Sequence, residues 1–484
     1  ESMDIQRMLA LSFLVLPVAA ILISNLLTGK ARRAARKWIT GAVAALQACA
    51  AAVSFALLIR SGAASYPFCL LAADTGRRYF ALTPFGLVTM FCAGVVCLAG
   101  VLVAGRTVKY KTNSYTNLLM ILLLAMTGIC IAQDLFTLYA FMEVTGIASF
   151  IMIAIYREDE SLEGAFKYLT MSCVAGVLIL AGLAFLFLLS GTLHYEELDA
   201  ARLAAVSPSA RFLLYASAAC LLSGFCIKAG VAPFHNWLPD AYQSADSSVS
   251  VVLAGIVTKA AGIYGIAVVT GVFSKLPGVR TALVCVGLFS IAVGALLALR
   301  QNNFKRVCAY SSVSQMGYIV LGIGACTPLG LIGAAAHIFS HAMFKSTLFT
   351  NAAALREQTG TLRVDRMGGL QKQMPVTAFT SVLAFLSTAG IPPLAGFWSK
   401  FTVVLALWLA GLHGAAWLAL LLSIFTGAYF LRLQRKVFFG KPKEELSGVH
   451  ETGGGIRAAE VLLTVFTVAG GIAYPFVLAF LGVA

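Results

Sequence analysis

Long apolar runs dominate the chain. Fourteen can be marked, at about 8–28, 39–60, 83–105, 116–132, 135–155, 164–190, 211–229, 249–271, 279–299, 307–325, 328–355, 375–410 (interrupted), 413–432 and 458–482. Most reach the length of a transmembrane helix. In hydrocarbon every backbone donor and acceptor must be satisfied within the chain, which leaves only helices or a closed barrel. Barrel strands alternate polar and apolar residues over about 10 positions, and these runs do not alternate. The expected fold is an all-α polytopic membrane protein with about 14 transmembrane helices. Only 11% of the 484 residues are charged and 60% are hydrophobic, too little charge to coat a soluble protein of this size.

The net charge of +15 invites a nucleic-acid reading, which its distribution argues against. Loops after odd-numbered runs hold 22 of the 35 Lys and Arg, from Lys30 and Arg32 through Lys305 and Arg306 to Arg457. The opposite loops hold eight, including Arg77, Arg78 and Lys275. The positive-inside rule places the richer side in the cytoplasm and both termini outside, in the cell membrane. The partner implied is the lipid bilayer, with no nucleic acid. The basic cluster Lys30–Lys37 follows the first apolar run, the reverse of a cleaved signal, and Met3 is the expected natural start. The 11 cysteines fall mostly within apolar runs without a CxxC, so they read as buried apolar side chains rather than as ligands of a cluster.

Five lysines remain, each inside a run: Lys167, Lys228, Lys259, Lys345 and Lys400. Among acids, Glu143 lies near the middle of one. A charge at the bilayer centre costs about 2.5–3.5 kcal/mol on insertion scales, so these groups are expected to face the bundle interior, paired or hydrated. A Lys–Glu pair has a closed state, with both charged, and an open state in which the lysine can release its proton. The bland readings are a static pair for Glu143 and snorkelling for Lys228. For Lys167 the bland reading is a local pair with Glu163 at i−4.

His337, His341 and Lys345 follow at i, i+4 and i+8. On a helix this makes one stripe about 12 Å long. Histidine titrates near neutral pH and carries protons on either nitrogen, so the stripe reads as a proton relay. Metal chelation by an i, i+4 pair is disfavoured by the nearby lysine and the lack of a carboxylate. An inert packed pair is the third reading.

One internal repeat is visible. "KAGVAPFHNWLP" (228–239) and "TAGIPPLAGFWSK" (388–400) share Ala-Gly-x-x-Pro with a Trp shortly after. Proline removes a backbone donor in mid-helix, and such breaks persist at membrane depth only inside protein or beside a wet cavity. Two broken helices in corresponding halves point to a transport site. The expected division is 1–115 (helices 1–3), 116–271 (a first repeat, helices 4–8), 279–432 (a second, helices 9–13) and 458–484 (helix 14).

The same stretches carry a family likeness: "DLFTLYAFMEV" (134–144), "EGAFKYL" (163–169), "IKAGVAPFHNWLPDAYQSADSSVS" (227–250), "KRVCAYSSVSQMGY" (305–318), "AHIFSHAMFKSTLF" (336–349) and "GIPPLAGFWSKF" (390–401). Taken together, over roughly residues 80–440, they resemble the antiporter-like proton-translocating subunits shared by respiratory complex I, group 4 membrane-bound hydrogenases including formate hydrogenlyases, and Mrp cation/proton antiporters. The resemblance implies two inverted five-helix repeats, each with a broken helix. It implies that Glu143 and Lys228 form a switching pair and that Lys259 is the central proton carrier. His337, His341 and Lys345 would link it to Lys400 on the exit side. The function implied is proton translocation within a redox-driven complex, hydrogenase- or complex I-like, with an Mrp-type Na+/H+ antiporter subunit as the alternative. Partners would be other membrane subunits and a peripheral redox arm. Iron–sulfur clusters, nickel–iron, quinone or flavin are expected only in those partners, and no cofactor or metal in this chain. The sequence departs from the family pattern at Ala245-Asp246-Ser247-Ser248, where prolines are usual, and at Thr83-Pro84-Phe85, where an acidic-glycine motif is usual. Asp246 is thus an added acid. No long lateral helix follows run fourteen, which argues against the longest distal complex I-type subunit.

Overall fold

The structure is a computed structural model that describes residues 2–27, 32–68, 79–205 and 207–480. Lys30, Arg77 and Arg78, which entered the charge count, lie outside the described residues. Among the described residues twelve helices are long and apolar enough to cross a membrane. The stripe helix, Pro328–Thr359, spans 32 residues and stands apart from those twelve. The interrupted run is two shorter apolar helices, Pro375–Ala389 and Ala395–Leu409.

Several helices outrun their apolar stretch. The second begins at Arg32 rather than about 39, the sixth at Asp159 rather than about 164. A helix can continue into the polar boundary because its own hydrogen bonds persist there. It ends where a cap supplies the missing partners. Thr83 and Thr327 each accept from the amide three residues on, at 3.1 Å, ahead of a first-turn proline. This resolves the Thr83-Pro84-Phe85 departure as an ordinary helix start. Asp134, in the tight turn after Gln133, accepts from Thr137 N at 2.8 Å. Gly454 to Ile456, ahead of the apolar run marked from about 458, form the first turn of the helix Gly454–Phe480.

The two breaks share one construction. Pro208–Ala229 ends at Gly230, whose φ of 66° only glycine adopts freely. Gly230 N donates to Ile227 O at 3.0 Å and Val231 N to Cys226 O at 3.3 Å. Pro375–Ala389 ends at Gly390, φ 86°, with Gly390 N on Ser387 O at 3.1 Å and Ile391 N on Leu386 O at 3.0 Å. Each is a Schellman-type stop, followed by a second short helix, Trp237–Ser244 or Ala395–Leu409.

Two features lay beyond the hydropathy pattern. A small hairpin pairs Tyr66–Phe68 with Phe80–Leu82. The helix carrying Lys259 is interrupted by two π-helical segments, Leu253–Val257 and Lys259–Ile263. Such widened turns are uncommon and recur at functional sites. This helix and Phe304–Gly324 are almost wholly enclosed, whereas Ile5–Leu26, His413–Val437 and Gly454–Ala479 turn most of their surface outward. The centre of the bundle is therefore where the ionisable side chains are.

At the second break, Gly396 N donates to Ser387 Oγ at 3.1 Å, and a Cβ on Gly396 would collide with the Ser387 carbonyl. Gly396→Ala should therefore destabilise the protein by about 1–3 kcal/mol through overpacking. Gly427→Ala, at a position with nothing within 4 Å, should not. Thermal unfolding of the detergent-solubilised protein reads the difference.

Candidate functional site

The first cation rests on an acid. Lys228 Nζ lies 3.2 Å from Glu143 Oε1 and donates to Ser172 Oγ at 2.6 Å. The lysine side chain is 3% exposed and the glutamate 31%. Two glycines make the niche. A Cβ on Gly176 would lie 2.9 Å from Glu143 Oε1, and one on Gly146 would lie 3.3 Å from Lys228 Nζ. The helices can approach so closely only because these positions lack side chains.

The remaining deep lysines are held by neutral oxygens. Lys259, fully buried, folds back to donate to the carbonyl of Ala254, five residues earlier and within the first π-helical segment. Lys345 donates to Cys308 O at 3.1 Å and to Ser311 Oγ. Lys400 donates to Thr388 O at 2.7 Å, a last-turn carbonyl left over by the second break, and its ammonium lies 4.6 Å above the Tyr318 ring. Among the described ion pairs none joins these three lysines to a carboxylate.

The histidines lie where the stripe requires. His337, His341 and Lys345 are all fully buried on Pro328–Thr359. The two rings are 6.4 Å apart between centroids. His337 Nδ1 is 2.9 Å from Ser399 Oγ, next to Lys400. His337 Nε2 and both nitrogens of His341 have no hydrogen-bond partner within the protein. Enclosed imidazole nitrogens of this kind are ordinarily satisfied by buried water. The Lys259 helix packs on the stripe helix directly: Ser346 Oγ donates to Val251 O at 3.4 Å, and Gly255 leaves no room for a Cβ against Ser346. No group of three His, Cys, Asp or Glu that could hold a metal occurs among the described residues.

Lys167 stands apart. Its ammonium lies 2.6 Å from Glu163 and 2.7 Å from Asp240, and Asp240 is also 2.7 Å from Arg306. The local pair with Glu163 is present, and Asp240 turns it into a four-membered surface-side cluster that the local spacing could not show. Asp246 caps the helix beginning at Ser247: its Oδ1 accepts from Ser248 N at 2.9 Å and from Thr107 Oγ1 at 2.9 Å. This acid thus starts a helix.

Two fully buried charged residues, one lysine and one glutamate, were missed. Lys305, counted among loop cations, is fully buried in the first turn of Phe304–Gly324, donating to Ala245 O at 2.8 Å and Ser250 Oγ at 3.0 Å. Glu460 is fully buried near the start of Gly454–Phe480. Both sit close to the ends of apolar runs, where a long side chain ordinarily reaches the surface.

These observations define a polytopic membrane protein with a row of enclosed lysines and histidines, gathered at two broken helices, a π-interrupted one and Pro328–Thr359. The profile of the family described as NADH:quinone oxidoreductase/Mrp antiporter, transmembrane, matches residues 132–426. The chain belongs to this family. It is 33% identical over 350 residues to NADH-quinone oxidoreductase subunit N of Desulforudis audaxviator, covering 72% of this chain and 69% of that one. It is 31% identical over 354 residues to a Na(+)/H(+) antiporter subunit of Alkalihalophilus pseudofirmus, covering 72% and 70%. The fold matches a chain in the structure of the Mrp complex from Dietzia sp. DQ12-45-1b with a TM-score of 0.87 at 24% identity, over 99% of this chain and 96% of that one.

Gly176→Ala should push the Glu143 carboxylate off Lys228. Ion transport per assembled protein should fall several-fold, while Gly271→Ala, with nothing within 4 Å, should leave it unchanged. Vesicle transport assays on the two variants make the comparison.

Proposed function

We propose that this chain is the proton-translocating membrane subunit of a redox-driven multi-subunit ion pump, complex I-like or membrane-bound hydrogenase-like. The carrying observation is the Glu143–Lys228 contact at 3.2 Å beside lysines held by neutral oxygens. In the closed state the carboxylate holds the Lys228 proton. When the pair opens, that proton can pass toward Lys259, and Lys345, His341 and His337 continue the line to Lys400. Each gap is bridged by water or a hydroxyl such as Ser399. Residues 116–271 and 279–432 form the two inverted repeats in this reading. The Lys/Arg-rich face is cytoplasmic, both termini face outward, and the membrane is the cell membrane.

The chain works with other membrane subunits and a peripheral redox arm, which hold the electron carriers. Supporting this is the likeness to a quinone oxidoreductase subunit. The likeness to a Na(+)/H(+) antiporter subunit favours a second reading, an Mrp-type subunit with no redox arm. The set of proteins that copurifies with the chain decides between them: iron–sulfur and hydrogenase- or quinone-reducing subunits for the first, small membrane subunits alone for the second.

Glu143→Gln should assemble and lose most coupled transport. Lys259→Ala removes the titrating group itself and should nearly abolish it, a loss of about 10²-fold or more. His341→Ala should lose less, since water can partly fill the space. Proton pumping in vesicles holding the whole complex, scored per assembled complex, is the measurement. Normal pumping by Lys259→Ala would remove the axis.

A further inference from the structure

Glu460 has no place in the row described above. It is fully buried, and no described ion pair joins it to a cation. Its contacts lead in two directions. Toward the Lys/Arg-rich face, Thr377 Oγ1 lies 3.2 Å from Glu460 Oε2 and 2.8 Å from Oε1 of Glu451, which is only half-buried. Inward, Asn351 Nδ2 donates to Glu460 Oε1 at 2.7 Å and to Thr380 Oγ1 at 3.0 Å.

Thr377 and Thr380 belong to Pro375–Ala389, the helix whose far end holds Lys400 through Thr388 O. Buried polar residues stand at both ends of it: Thr377, Thr380 and Ser381 at one, Ser387 and Thr388 at the other, with five apolar residues between. From Thr377 to Thr388 is eleven residues, a rise of about 16 Å. At the edge of the apolar stretch, Gln434 donates to Ser381 Oγ at 2.6 Å. Three enclosed oxygens along this seam have no partner within the protein: Asn351 Oδ1, Gln434 Oε1 and Thr464 Oγ1, the last one turn beyond Glu460. Buried oxygens of this kind are where ordered water is held.

We infer that Glu460 is a proton-loading carboxyl of a second uptake branch, filled from Glu451 and discharging along Pro375–Ala389 to Lys400. The inference rests on the proton-translocating reading above and adds a second loading route to Lys400, which conducts only while the row from Lys228 through Lys259 turns over, so that loss of Lys259 stops both. In each step a proton leaves one oxygen as another arrives. Glu451 passes its proton through the Thr377 hydroxyl to Glu460, and Glu460 returns to the carboxylate when it passes the proton inward. No oxidant or co-reactant is involved. Between Glu460 and Lys400 the seam has hydroxyls and amides but no titratable side chain, so that stretch conducts only when water joins it. This keeps the branch from short-circuiting the two faces. The charged groups that act on Glu460 are Glu451 and Arg457; Arg106 and Glu357, paired with each other at 2.9 Å, lie against Gly453 and Thr452.

The competing role is structural: Glu460 as a hydrogen-bond hub tying three helices. Glu460→Gln separates the two, because the amide keeps hydrogen-bonding capacity and cannot carry the proton. In vesicles holding the whole complex, Glu460→Gln should assemble and slow proton transport by about tenfold. This is less than the ~10²-fold typical of a lost proton-transfer group, because the first branch still runs. Thr377→Val, which breaks the link to Glu451 at nearly constant volume, should slow it similarly. Infrared difference spectra across a pH step should show a carboxyl band in the unsubstituted protein that is absent in Glu460→Gln.

Wild-type transport in an assembled Glu460→Gln, or an unchanged carboxyl spectrum, overturns the branch. If Glu460→Gln assembles poorly, Thr377→Val decides: an assembled variant at wild-type rate overturns it. Lys259→Ala, run in parallel, keeps the two claims apart. Near-loss there with no effect at Glu460 rejects only the branch, whereas full transport in both rejects the translocating reading itself.

Discussion

An ammonium enclosed in a membrane protein needs oxygen around it, and in this chain most of that oxygen comes from the backbone. Lys259 takes the Ala254 carbonyl, Lys345 that of Cys308, Lys305 that of Ala245, and Lys400 that of Thr388. A regular helix has few carbonyls to offer, because each is committed to the amide four residues on. The irregularities of this fold change that. The Gly390 stop leaves Thr388 O without an intrahelical partner, and the end of Trp237–Ser244 presents Ala245 O. The π-helical turn brings Ala254 O within reach of the side chain five residues later. Breaks and widened turns thus hold three of these four lysines at depth, while Lys345 shares a carbonyl within the regular helix Phe304–Gly324.

Neutral acceptors also suit a carrier. Removing one partner of a buried ion pair strands the other charge, at a cost of several kcal/mol. A lysine held by carbonyls and hydroxyls can lose its proton and leave only dipoles behind. Lys228 is the exception, since it has Glu143. Opening that pair exposes two charges to a poor solvent at once, so it is the step most sensitive to any movement of the surrounding helices. That sensitivity fits a switch, with the carbonyl-held lysines acting as conductors.

Much of this was legible in the amino-acid sequence for a simple reason. Charges in the middle of apolar runs are costly wherever the helices pack, so Glu143, Lys228, Lys259, Lys345 and Lys400 were visible without a structure. The stripe of His337, His341 and Lys345 follows from helix period alone, and the two breaks from Ala-Gly-x-x-Pro. Lys305 and Glu460 were hidden because burial near the end of a run depends on what packs over it. Lys305 is covered by the segment around Ala245 and Ser250, and Glu460 by Asn351 and Thr377. Neighbouring Arg306 and Arg457 made both positions look like surface. Asp240 was hidden for the same reason, since its partners lie 73 and 66 residues away. The π-helical turns left only a faint trace, in Gly255 and Gly262, whose missing side chains admit Ser346 and Ala229.

The two breaks are built alike and used differently, and the difference lies in where the lysine stands. At the first, Lys228 is the second-last residue of the broken helix, and its side chain reaches Glu143 and Ser172. The Trp237 indole donates to Ile227 O at 3.0 Å, a carbonyl that also accepts from Gly230 N, and so fastens the following helix to this end. At the second, Thr388 holds the place of Lys228, and the lysine comes twelve residues later on Ala395–Leu409, from where Lys400 returns to the Thr388 carbonyl. A lysine before the break therefore meets an acid on another helix, whereas one after it is held on the backbone end that the break exposes. The repeat supplies the same scaffold twice. The position of the lysine sets whether that scaffold acts as a switch or as a terminal site on the proton line.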